Sequence, residues 1–159
     1  MHGSAPGACS QNRVCRKCYG SCALCAKNGD VPAANMPAYT LDTNAIIYYT
    51  GNDERAVLAI RPLLLSGALI YVPTVVITEV LSVELSEEEQ AATEMIFGTT
   101  QVIPLYEHIA RLAADIRKNT RLKFPDAAIA ATALTTRSSI VTRNVRDFKR
   151  VHGLAIESI

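Results

Sequence analysis

The sequence predicts an α/β fold with a parallel sheet covered on both faces, and three observations lead there. Short runs such as Ala68-Leu69-Ile70-Tyr71-Val72 and Ser139-Ile140-Val141-Thr142 are continuously apolar or β-prone rather than alternating, as strands buried on both sides are. Segments with helical patterning separate these runs, which is the rhythm of strand, helix, strand. The 159 residues, 49% apolar and 19% charged, are enough for one domain with a proper core and little more.

The elements follow in order. Residues 1–35 hold Gly, Ala, Ser, Cys and Asn without an apolar period, and read as a tail and linker before a domain spanning 36–159. Tyr39-Thr40-Leu41 is a first strand, and an apolar helical turn from Ala45 to Tyr49 follows Asp42. Asp53-Glu54 open a helix running to about Leu65, which Pro62 should shorten or kink and Gly67 ends. After the strand Ala68–Val72, Pro73-Thr74 start a helix through Val80. Ser86 with Glu89 three residues on forms a capping box for a helix reaching Ile96, stopped by Gly98.

Gln101-Val102-Ile103 is a short strand, and Tyr106 to Lys118 an amphipathic helix with Ile109, Leu112, Ala113 and Ile116 on one stripe. Pro125 opens a helix of small residues through Leu134 that must pack closely on all sides. The strand Ser139–Thr142, a short turn Val145–Phe148 and a last strand Leu154–Ile156 complete the chain.

Charge and cysteine usage exclude several function classes. The net charge of +1 divides into +3 over residues 1–35 (four Lys or Arg, one acid) and −2 over 36–159 (twelve against fourteen). A body of that balance cannot hold nucleic acid by bulk attraction, so any such binding needs local clustering. No apolar run is long enough to span a bilayer. The first residues lack the pattern of a secretory signal, so a cytoplasmic location is expected.

All five cysteines lie between Cys9 and Cys25, so no disulfide framework holds the body. Cys15, Cys18, Cys22 and Cys25 form two CxxC pairs, a candidate zinc site. Their three-residue separation is tighter than zinc modules usually have, and the competing reading is that translation starts at Met36.

The chemistry is expected at the carboxyl ends of the strands, where ligands gather in such sheets. Asp42 follows the first strand, Glu79 lies on the helix after the second, Asp126 opens the helix after Pro125, and Asn144 and Asp147 follow the strand ending at Thr142. Each alone has a bland explanation, since an acid in a first helical turn is stabilised by the helix dipole. Together they repel unless a cation compensates, and Mg²⁺ or Mn²⁺ suits an all-oxygen donor set. His108 and His152 are isolated, so zinc in the body is not expected.

These residues carry a family resemblance. Leu41-Asp42-Thr43-Asn44, Ile77-Thr78-Glu79-Val80, Phe124-Pro125-Asp126-Ala127-Ala128-Ile129-Ala130-Ala131-Thr132-Ala133 and Val141-Thr142-Arg143-Asn144-Val145-Arg146-Asp147-Phe148 resemble the successive motifs of PIN-domain ribonucleases. The similarity is closest to VapC-type toxins of toxin–antitoxin pairs, and it covers about residues 38–157. It implies a three-layer α/β/α fold with a short parallel sheet, and Mg²⁺ held by Asp42, Asp126 and Glu79. Asn44 and Thr142 would be polar support. It further implies hydrolysis of RNA to 5′-phosphate and 3′-hydroxyl ends, a protein antitoxin and a homodimer.

Some relatives have an acid where this chain has Asn144. Whether Asn144 or Asp147 completes the site, and whether one ion or two bind, therefore stays open. Nine of the twelve body cations lie from Arg117 onward, and Arg143 and Arg146 are the preferred phosphate contacts. Two other classes compete. A non-catalytic module of the same fold would bind RNA or protein, and a phosphoryl-transfer domain would need a lysine in a strand-end motif near the acids, which the sequence does not offer.

Overall fold

The structure, a computed structural model, describes residues 36–159. The tail of residues 1–35 and its cysteine pairs therefore lie outside the described residues. In chain order the elements are β1 (Ala38–Leu41), α1 (Thr43–Thr50), α2 (Glu54–Leu65), β2 (Leu69–Pro73), α3 (Thr74–Val80) and α4 (Glu87–Thr99). They continue with β3 (Gln101–Ile103), α5 (Glu107–Thr120), α6 (Phe124–Thr136), β4 (Ser139–Thr142), α7 (Val145–Phe148) and β5 (Ile156–Ser158).

Among the described residues, five strands run parallel in the order β3-β2-β1-β4-β5. The chain steps outward from β1 to β3, then crosses back to the other side of β1. Right-handed crossovers put α1 to α4 on one face and α5 to α7 on the other, giving three layers. The packing of α1 on α2 and of α5 on α6 agrees.

The core is where the strand sequences place it. Leu41, Val72, Ile140 and Val141 are fully buried, with Ile46, Ile60, Val76 and Val80 above one face and Ile129 above the other. Helix α6 is buried continuously from Ala127 to Ala133. Its alanines let it lie close to β1, β2 and β4 on one side and to α5 on the other.

Four local expectations need correction. Helix α1 begins at Thr43 rather than Ala45, because the Asp42 carboxylate accepts from the Thr43 N–H at 2.8 Å and caps the helix two residues earlier. Pro62 does not shorten α2, which runs on to Leu65. It is exposed, so water can take the Leu58 carbonyl that it leaves without a donor.

Gly98 does not stop α4, which continues to Thr99. The hydroxyls of Thr99 and Thr100 bond back to the Met95 and Ile96 carbonyls and serve the last turn in place of a glycine cap. The last strand lies two residues later than expected, fixed by the pairing of Ile140 with Ile156.

Candidate active site

The topology reverses between β1 and β4, and their carboxyl ends open the crevice in which a ligand binds. Asp42 closes β1 there and is only 2% exposed. Its Oδ1 accepts from the Thr43 N–H at 2.8 Å, and its Oδ2 accepts from the Thr142 hydroxyl at 2.7 Å, across 100 residues of chain. Thr142 Oγ1 accepts in turn from the Asn144 N–H at 2.9 Å. One hydroxyl thus ties the end of β4 to the end of β1 and aims the loop beyond it.

The other acids surround this point. Glu79, on the last turn of α3, accepts from the Thr43 hydroxyl. Asp126 stands in the first turn of α6, and Asp147 accepts from the Asn144 amide at 3.0 Å. Asn144 and Asp147, the two candidates for the fourth position, are thus bonded to each other. Asn44, Glu79, Asp126, Asn144 and Asp147 line one cleft of about 360 Å³, with Arg121, Lys123 and Arg150 on its walls.

The electrostatics match that crowding. Burial pushes the Asp42 carboxyl up to about 6; the Thr142 bond opposes the rise, and the facing charges of Asp126 and Glu79 add to it. Asp126 is also raised, first by burial and then by Glu79 and Asp147, with Lys123 working against the shift. Four acids converge on a region from which water is partly excluded. Among the described residues, no three His, Cys, Asp or Glu side chains stand close enough together to surround an ion as they are.

The expected phosphate contacts are placed differently. Arg143 turns away from the cleft to pair with Asp53, the cap of α2, and its guanidinium lies 3.8 Å over the Tyr48 ring. Arg146 is exposed and is not among the residues lining the cleft. The cleft cations come instead from the α5–α6 loop and from Arg150, which sits 3.6 Å from Asp147. Neither Thr43 nor Asp53 is among the site residues that the sequence points to. The position of Asp53 before Glu54 marks a helix cap, but nothing local signals a partner 90 residues away.

A larger cavity, about 480 Å³, lies at the amino ends of β1 and β4, on the side of the sheet away from these acids. It carries none of them.

A model of the PIN domain family matches residues 39–154. The chain belongs to the PIN-domain family. Comparison with curated proteins finds no match. Among solved structures, this PIN domain is similar to VapBC2 from Rickettsia felis bound to a promoter DNA fragment, at TM-score 0.65 and 20% identity, covering 77% of this chain and 98% of that one. A toxin–antitoxin complex from Klebsiella pneumoniae matches at TM-score 0.63 and 28% identity, over 74% and 95% of the two chains. VapBC-5 from Mycobacterium tuberculosis matches at TM-score 0.53 and 21% identity, over 77% and 97%. At identities this low, the first and third establish the PIN fold alone.

Proposed function

We propose that this PIN domain is a divalent-metal-dependent endoribonuclease and the toxin half of a toxin–antitoxin pair. The carrying observation is the burial of Asp42 at the sheet's switch point, facing Asp126 and Glu79, with its carboxyl raised to about 6. Such a cluster is short of positive charge, and its oxygen-only donors fit Mg²⁺ or Mn²⁺ better than zinc. Asp42 and Asp126 would hold the ion most directly, with Glu79 beside them. When bound, the ion lowers the pKa of a water and offsets charge on the scissile phosphate.

The protein's own residues do the remaining work. Thr142 and the Thr43 N–H fix Asp42, while the Asn144–Asp147 pair sets the far wall. Asn44 supplies an exposed polar group at the lip. The cations around the acids make the approach of a phosphodiester tolerable. A protein antitoxin covering the cleft is supported by the similarity to the Klebsiella pneumoniae toxin–antitoxin complex, and a homodimer and a cytoplasmic setting complete the reading on the family resemblance alone. Among the described residues, no helix is long and apolar enough to cross a membrane.

One observation favours the alternative of a non-catalytic RNA- or protein-binding module, namely that the acids are not grouped at coordinating distance. Cleavage of single-stranded RNA in Mg²⁺, with Asp42→Asn and with a chelator as controls, separates the two. The nuclease reading expects activity in the wild type to fall by about a hundredfold or more in both controls, since the metal step supplies several kcal/mol. RNA bound but never cut supports the module.

A further inference from the structure

Three cations line the acidic cleft, and their engagement differs. Lys123 faces Asp126 and offsets part of the rise of its carboxyl, and Arg150 lies beside Asp147. Arg121 is exposed and has no ion pair or side-chain hydrogen bond among the described residues.

The backbone of Arg121 is unusual as well. It ends α5 in the left-handed region, φ 61° and ψ 23°, with its N–H donating to the Arg117 carbonyl. Glycine takes that conformation without a steric cost, whereas a side chain with a Cβ does not. The chain thus carries a strained arginine where a glycine would serve the helix better, and it does so at the mouth of the cleft. Arg137 shares that conformation away from the cleft, so it is the placement at the cleft mouth, and not the strain alone, that singles out Arg121.

We propose that Arg121 is the phosphate clamp of this cleft. Its unpaired guanidinium takes a backbone phosphate of single-stranded RNA beside Asp126, and the left-handed backbone sets the direction in which it projects. Planar bidentate donors suit a phosphate oxygen pair better than a lysine would. This rests on the nuclease reading and identifies which cation holds the substrate.

Arg137 supplies an internal control. It caps α6 in the same left-handed region, at φ 53°, but lines the cavity at the opposite end of the strands. The experiment compares the full chain with Arg121→Gly, Arg121→Lys and Arg137→Gly. It measures melting temperature, the affinity for a short fluorescein-labelled single-stranded RNA in chelator, and cleavage in Mg²⁺.

Both glycine variants should melt higher, by about 2 °C or more. Arg121→Gly should bind RNA about tenfold more weakly, with the salt slope reduced by about 0.7, the value for one lost phosphate contact on a single strand. Arg121→Lys should keep the slope and recover part of the affinity. Arg137→Gly should bind as the wild type does. A wild type that cleaves RNA while Arg121→Gly binds it equally well, with the same slope, overturns the clamp and leaves the nuclease standing. A wild type that neither binds nor cleaves overturns both.

Discussion

Asp42 is a carboxylate in a place that favours its neutral form. An unfolded aspartate titrates near 3.9, roughly two units below the value of about 6 in the fold. The folded chain therefore binds this proton more tightly than the unfolded chain. Stability is highest where Asp42 is protonated and declines as pH rises from about 4 to about 6, by on the order of 2 to 3 kcal/mol for this group. Asp126 shifts in the same direction and adds to the slope.

In chelator, the melting temperature should be higher near pH 5 than near pH 7. Asp42→Asn should flatten that dependence and melt above the wild type near neutral pH. Its amide can still accept from the Thr43 N–H and can donate to Thr142, so the geometry survives without the charge. Thermal denaturation followed by circular dichroism reads both effects, and a wild-type curve that rises with pH contradicts them.

Arg143 links two elements, and its role is decided at that scale. It pairs with Asp53 at the start of α2, stacks on Tyr48 of α1, and sits between Thr142 and Asn144. It therefore braces the loop that aims the site. The pair is about a third exposed, so screening limits it, and Arg143→Ala, which also removes the ring contact, should lower the urea midpoint only slightly. The KM for RNA should stay unchanged while kcat falls several-fold. A raised KM with an unchanged kcat would make Arg143 a phosphate contact after all. Urea denaturation and steady-state cleavage give the two readings.

The same scale shows what the sequence could convey. The Ser86–Glu89 box was legible because both partners lie within one turn, and they bond reciprocally as that motif requires. The end of α4 was not legible from Gly98, because threonine hydroxyls competed for the same carbonyls. The Asp42 cap was hidden because the residue read as a ligand also starts a helix. The Asp53 and Tyr48 partners of Arg143 were hidden for a different reason: proximity in sequence to an acidic motif does not tell which way a long side chain turns.

Across the whole molecule, the legible part was the order of strands and helices and the placement of each acid beyond a strand. These followed from periodicity and from motif order, and the PIN family match confirms the fold they imply. The parallel order with β1 between β2 and β4 converts that placement into convergence, bringing Asp42 and Thr142 into contact from opposite ends of the domain. What sequence could not supply was the division of charge, in which some cations pair with acids of the scaffold and others face the cleft.

The central claim is that these acids capture a divalent cation at the switch point. Ion and proton compete for Asp42, so capture should strengthen as pH rises through about 6. Calorimetric titration of the full chain with Mn²⁺ near pH 7, repeated with Asp126→Asn, tests this directly. The account predicts saturable binding in the wild type and its loss in the variant. No binding heat at millimolar Mn²⁺, or equal binding by the variant, would contradict it.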